Sequence, residues 1–223
     1  LSHFGLVPAA LAGVDLETLL SRAQAASLAG RGQDLASGNN PGARLGAILG
    51  ELARAGRDKV TLLTSPAIAG FGDWVEQLIA ESTGKEGKGI LPVVGEPLGA
   101  PGDYGPDRLF IHLRLEGDDS QDTAIQALEA AGHPVVRLQI KDRYDLGGQF
   151  FLWELATAVA GYRLGINPFD QPDVEAAKVL ARKMVAAYKA TGKLPELNST
   201  LVVDGIAVYT DYSAMRETLK AGD

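Results

Sequence analysis

Two hydrophobic rhythms alternate along this chain, short apolar runs and stripes at helical spacing, and their order predicts most of the architecture. Apolar residues already gather over residues 6–11, which read as packed structure. Leu16, Leu19, Leu20 and Ala23 then mark a helix over residues 15–29, with Asp15 as N-cap and Gly30 as stop. A second helix is predicted over residues 41–55: Asn40 caps it, Pro41 suits its first turn and Gly56 ends it. The polar, Gly-rich residues 31–39 between them read as a loop. A βα unit then repeats. Residues 60–64 suit a buried parallel strand, and Trp74, Val75, Leu78 and Ile79 place a helix over residues 71–82. Residues 90–94 are the next strand, followed by a Gly/Pro loop over residues 95–106. Leu109, Ile111, Leu113 and Leu115 alternate with Phe110, His112 and Arg114 in a strand expected to be half-buried. A helix at residues 121–131, a strand at 135–140 and a mostly apolar helix at 149–164 complete the series.

Four short strands separated by helices predict an α/β fold, a doubly wound, mostly parallel sheet with helices on both faces. The last third departs from this rhythm. A long amphipathic helix covers residues 174–190 and Thr191-Gly192-Lys193 closes it. After a linker at 194–198, residues 201–203 and 206–209 flank Asp204-Gly205, a pair that favours a two-residue hairpin turn, and a short helix follows near residues 213–221. A hairpin and one helix are too little for a core of their own. The expected division is therefore a domain over residues 1–193 and an appendage over 194–223.

Composition narrows the function classes. The 46% apolar content excludes a disordered chain, and the absence of Cys excludes disulfides and cysteine-ligated metal, in keeping with a reducing cytosolic setting. The net charge of −7, with no basic tract, argues against a nucleic-acid partner while leaving small anions open. No apolar run approaches the roughly 18 residues of a membrane helix, and no signal peptide is evident. The chain opens on Leu1 and reads as a fragment or processed chain.

Candidate chemistry falls into two clusters. Glu81 lies in the last turn of the helix over residues 71–82, where the backbone dipole disfavours the ionised carboxylate and so suits a general base. Gln77, four residues earlier, projects from the same face; the alternative is a solvated glutamate at a helix end. In the second cluster, Gln171 and Lys178 stand two turns apart on one stripe, with Val174 close to it. Asp170, Pro172 and Glu175 also read as the N-cap, first turn and capping box of a helix, and Lys178 as a lysine laid over apolar surface. The run from Gly84 to Gly89 lacks the spacing of a phosphate loop and follows a helix where such a loop precedes one. His3, His112 and His133 show no metal-ligand spacing, so a structural role is expected for His112 and His133. No Gly-x-Ser-x-Gly elbow supports a hydrolase triad.

Both clusters resemble a known family. Gln77-Leu-Ile-Ala-Glu81-Ser82-Thr83-Gly84-Lys85, followed by Gly89-Ile90, resembles the segment of phosphoglucose isomerase (glucose-6-phosphate isomerase) that carries its base. Gly161-Tyr-Arg-Leu-Gly-Ile-Asn-Pro-Phe169-Asp170-Gln171-Pro-Asp-Val-Glu175-Ala-Ala-Lys178 resembles the family's C-terminal signature, with Arg163 and Asp173 as departures from it. The opening Gly5-Leu6-Val7-Pro8-Ala9-Ala10 resembles the stretch after its Gly-Arg-Tyr-Ser motif. The wording is most similar to the isomerase half of bacterial transaldolase/phosphoglucose isomerase fusions.

The resemblance implies a C-terminal sugar isomerase (SIS) domain, Rossmann-like and three-layered, acting on glucose 6-phosphate and fructose 6-phosphate through a cis-enediol without metal or organic cofactor. It implies catalytic roles for Glu81 and Lys178 and substrate binding by Gln77 and Gln171. A cytoplasmic protein of glycolysis and gluconeogenesis, dimeric, is what the family suggests. The family's arginine, its phosphate-binding Ser/Thr cluster and its ring-opening histidine have no match here, so the fragment alone is expected to be weak or inactive. A non-catalytic SIS-type module that binds sugar phosphates is the alternative.

Overall fold

A computed structural model describes residues 2–32, 40–195, 199 and 201–209 of the 223-residue chain. The chain divides at Gln171/Pro172 into two compact units, ahead of the 193/194 boundary expected from the sequence. The first unit holds α1 (His3–Leu11), α2 (Leu16–Ala29), α3 (Pro41–Arg54), β1 (Lys59–Thr64), α4 (Gly70–Thr83), β2 (Leu91–Val94), β3 (Arg108–Leu115), α5 (Asp122–Ala130), β4 (Val135–Ile140) and α6 (Leu146–Leu164). The second holds α7 (Pro172–Thr191) and the strands β5 (Leu201–Val203) and β6 (Ile206–Val208).

The four strands of the first unit pair in the order β2-β1-β3-β4, all parallel. The expected α/β class and helix-flanked sheet are what the structure shows. One sheet face is covered by α3, α4 and α6, whose Leu45, Leu49, Val75, Ile79 and Trp153 pack on Val60, Leu62, Leu109, Ile111 and Leu113. On the other face Leu63 and Phe110 pack against Ile125 and Leu128 of α5. The caps read from sequence form: the Asp15 carboxylate accepts from Thr18 N at 3.2 Å, and the Asn40 side chain from Ala43 N at 3.0 Å.

Tertiary contact changes three local expectations. β3 is buried on both sides rather than half-buried, because Leu98 and Tyr104 of the Gly/Pro loop join α5 over its second face. α6 begins at Leu146, ahead of the expected residue 149, because Gly147 and Gly148 let the backbone of α2 lie against it at Leu19 and Arg22. α1 forms, yet it is not packed: none of its residues is buried, and Phe4 is 94% exposed. In the second unit the hairpin forms with Asp204 and Gly205 both in the left-handed region, as a two-residue turn of this type requires. The helix expected near residues 213–221, and most of the loop at 31–39, lie outside the described residues.

Helices α3 and α6 also approach closely. Gly42, Gly46 and Gly50, four residues apart, line one face of α3. A Cβ on Gly46 would meet Val159 Cβ at 2.7 Å and press still harder on the Ala156 carbonyl, and one on Gly50 would meet Arg163 Cβ at 2.6 Å. Arg163, the polar departure in the signature, uses this proximity to bind Glu51 of α3.

His112 illustrates what burial on both faces does to a polar group. It is 2% exposed, and its Nδ1 has no hydrogen-bond partner among the described residues. Loss of hydration pushes its pKa below the ordinary 6.5; Arg137 and Arg114 push the same way, while Asp122 and Asp118 oppose. At Asp118, hydrogen bonding, first from Ser65 and then from Ser120, lowers the carboxyl to about 2.

Two outcomes follow from this packing. Gly46→Ala should lose about 1–3 kcal/mol in urea unfolding despite alanine's better helix propensity, because the seam cannot open without cost. Gly5→Ala in α1, where nothing lies within 4 Å, should lose nothing; equal effects would show that the seam is not tight. For His112, the unfolded chain binds the proton more readily than the folded one. Stability should therefore fall as pH drops below about 6.5, and His112→Gln should flatten that slope in pH-dependent thermal melts.

Candidate functional site

Helix α4 presents two faces. Phe71, Val75 and Ile79 anchor it to the sheet, which turns Gln77 and Glu81 outward on adjoining turns. The Gln77 side-chain amide donates from Nε2 to Glu81 Oε1 at 3.1 Å, the pairing that i, i+4 spacing allows. This bond orients the carboxylate and leaves Oε2 without a hydrogen-bond partner among the described residues. Thr83 fixes the end of the helix: its buried hydroxyl donates to Ile79 O at 2.8 Å and accepts from Ile90 N at 2.9 Å. The chain then reverses in a tight turn at Glu86 and Gly87, both at positive φ, closed by a bridge between Lys85 and Lys88. The glycine-rich run is thus a hairpin-like turn.

The opposing wall comes from the segment after α6. Gly165 takes the left-handed conformation at φ 68° that ends the helix, and Ile166 N donates back to Gly161 O at 3.1 Å. Gly161 then receives Pro168: a Cβ there would lie 2.8 Å from Pro168 Cγ. Two glycines of the signature thus serve one purpose, folding residues 166–171 back over the end of α6. Asp170, expected as a helix cap, does something else. Helix α7 starts at Pro172, and the Asp170 carboxylate is 3.0 Å from Lys85 Nζ.

Between these walls is a cavity of about 330 Å³ lined by Trp74, Gln77, Leu78, Glu81, Ser82, Pro168, Asp170 and Gln171. Residues 90 or more positions apart in sequence, Glu81 and Gln77 on one side and Gln171 on the other, therefore share one hollow. Trp74 makes its apolar wall and is held by edge contacts with Phe150 at 4.7 Å and stacking on Phe71 at 5.4 Å. Lys178 belongs to the second unit, on α7, where its ammonium pairs with Glu175 at 3.0 Å. A larger hollow of about 740 Å³, walled by Gly84, Gly87, Gly89, Ile90 and Pro92 with Arg54, Asp58 and Lys88, holds none of the candidate residues. Among the described residues no cluster of three or more His, Asp or Glu is arranged to hold a metal ion, and no helix is long and apolar enough to cross a membrane.

Sequence reading missed Trp74, Pro168 and Lys85 as parts of this site. Lys85 stood inside the motif yet carried no local signal, since its partners are more than 80 residues away. What the arrangement can do chemically is hold one oxygen of the Glu81 carboxylate by an amide, at the side of a hollow lined also by apolar, amide, hydroxyl and carboxylate groups.

No family model matches the chain. The chain is 32% identical to glucose-6-phosphate isomerase of Symbiobacterium thermophilum, a similarity covering 80% of this chain and 48% of that protein. It is 32% identical to the enzyme of the same name from Pediococcus pentosaceus, over 90% of this chain and 53% of the other. For that of Enterococcus faecalis the figures are 30%, 80% and 48%. The chain thus spans about half the length of the curated relatives it matches. A crystal structure of a hypothetical protein from Thermus thermophilus shares the fold, with a TM-score of 0.68 at 23% identity over 82% of this chain and 53% of that one.

The turn geometry gives a direct test. Gly165→Ala should cost about 1 kcal/mol in urea unfolding, because a Cβ resists the left-handed conformation, and Gly165→Asn should cost less; an unchanged midpoint for the alanine variant would contradict the assigned turn.

Proposed function

As a homologue of about half of a glucose-6-phosphate isomerase, the chain, we propose, contributes the general base of an aldose–ketose isomerase that interconverts glucose 6-phosphate and fructose 6-phosphate. The observation that carries this reading is the Gln77–Glu81 pair facing Gln171 across the cavity. With Oε1 engaged by Gln77, Glu81 Oε2 takes the proton from the carbon next to the sugar carbonyl. The electron pair left on carbon forms the C1–C2 double bond as the carbonyl π pair moves onto oxygen, which takes up a proton to give the cis-enediol. The other hydroxyl then gives up its proton to become the new carbonyl while the same carboxyl returns its proton to the neighbouring carbon, so no proton is gained or lost overall. A single base that both removes and returns the proton needs a carboxylate held in one orientation, which the amide supplies. Gln171 binds sugar hydroxyls from the facing wall.

In this reading Lys178 assists ring opening or carries charge on the sugar oxygens, and the isomerase domain continues through α7 to about residue 193. The exposed ion pair of Lys178 with Glu175 at 3.0 Å is one that substrate can replace. The substrate's phosphate is gripped by residues outside these two clusters. The chemistry needs no redox partner, since the hydrogen lost at one carbon is regained at the next.

The test is Glu81→Gln in the full-length protein. It should lower turnover of fructose 6-phosphate by at least about 10²–10⁴-fold, the usual worth of a general base, and stop incorporation of solvent deuterium at C2 of glucose 6-phosphate. The circular dichroism spectrum should stay unchanged. Retained turnover in the variant contradicts the assignment. Binding of fructose 6-phosphate by the wild type with neither turnover nor exchange would establish a non-catalytic binding module instead.

A further inference from the structure

Among the described residues, Lys85 is the one lysine or arginine that is fully buried, at 4% exposure. A buried ammonium costs several kcal/mol unless its donors are satisfied. Here all three are. Lys85 Nζ donates to Asn167 O at 2.8 Å, to Asp170 Oδ1 at 3.0 Å and to the Asp170 carbonyl. Three N–H donors meet three acceptors, and all three acceptors belong to the four residues that precede Gln171.

That segment has little else to fix it. Phe169 is 81% exposed and the Asp170 side chain 52%, so apolar burial contributes only through Pro168 on Gly161 and Ile166 beneath it. The turn carrying Lys85, by contrast, is anchored to the sheet through Thr83 and Ile90. The ammonium therefore ties an exposed wall of the cavity to a rigid one.

We propose that Lys85 is a positioning residue for the site: its buried ammonium clamps residues 167–170 to the end of α4 and so sets Gln171 opposite Gln77 and Glu81. This rests on the isomerase reading above. The clamp has an electrostatic side as well, because Asp170 lines the same cavity and its carboxylate would repel a sugar phosphate. Pairing with Lys85 cancels that charge at its source. Two of the three acceptors are backbone carbonyls, so the clamp depends on the lysine more than on the identity of the residues it holds.

The experiment compares Lys85→Met, Gln171→Ala and the double variant in the full-length protein. It uses fructose 6-phosphate turnover together with amide hydrogen exchange of the peptide spanning residues 165–171. Lys85→Met should raise exchange in that peptide at least about tenfold and lower kcat/KM about tenfold or more, while peptides from β1 and β3 stay protected. The double variant should be no worse than the poorer single variant, because both act through Gln171. Lys85→Arg should recover part of the activity by restoring the charge beside Asp170.

Unchanged exchange at 165–171, or losses that simply multiply in the double variant, overturns the proposal. If Lys85→Met does not fold, Asp170→Asn decides by exchange alone. It keeps an oxygen acceptor but removes the negative charge that strengthens the bond to the Lys85 ammonium, so exchange should rise a fewfold, and no rise overturns the clamp. An active Glu81→Gln variant would overturn the isomerase reading without altering the exchange result, so the two failures are told apart.

Discussion

The Gln171 wall of the cavity starts from how closely α6 can lie against α3. The glycines of α3 remove the side chains that would hold the helices apart, and the resulting seam fixes α6 over the sheet with Trp153 fully buried beneath it. Once α6 is fixed, its end is fixed, and from that end the chain turns at Gly165 and settles Pro168 on Gly161. The wall bearing Gln171 is thus placed by a chain of contacts that begins at a helix–helix seam more than 100 residues earlier in sequence. A seam without room to slide passes its position on to whatever is attached to it.

The other wall is set independently. Helix α4 packs through Phe71, Val75 and Ile79, and Thr83 welds its last turn to the start of β2. Two rigid bodies then need joining at the cavity itself, where there is little apolar surface to bury. A charge does this work where hydrophobic contact cannot. The Lys85 ammonium is short-ranged, directional and saturated, so it fixes distance and angle together in a way apolar packing of exposed residues could not.

Much of this was legible in advance. The βα rhythm predicted the sheet, and the caps at Asp15 and Asn40, the turn at Asp204-Gly205 and the pairing of Gln77 with Glu81 are local events governed by residues two to four apart. The errors also share a cause. β3 looked half-buried because Phe110, His112 and Arg114 include polar types, yet the Gly/Pro loop before it and α5 after it fold back over that face. Residues 6–11 looked packed because they are apolar, yet α1 buries none of its side chains. Asp170 looked like a helix cap because local pattern offered it no other partner.

Glu81 shows the division most clearly. Its place on a helix face beside an amide is written in the spacing, since helix geometry alone brings i and i+4 together. Its place beside Gln171, and the lysine that holds that wall, are not. These contacts join residues some 80 to 90 positions apart, and the chain between them carries no periodicity that records which distant atoms will meet. The sequence by itself determined the elements, their order and the chemistry each face could offer. The tertiary structure decided which faces meet, because that depends on close packing and on satisfying buried charge, and both are properties of the assembled whole.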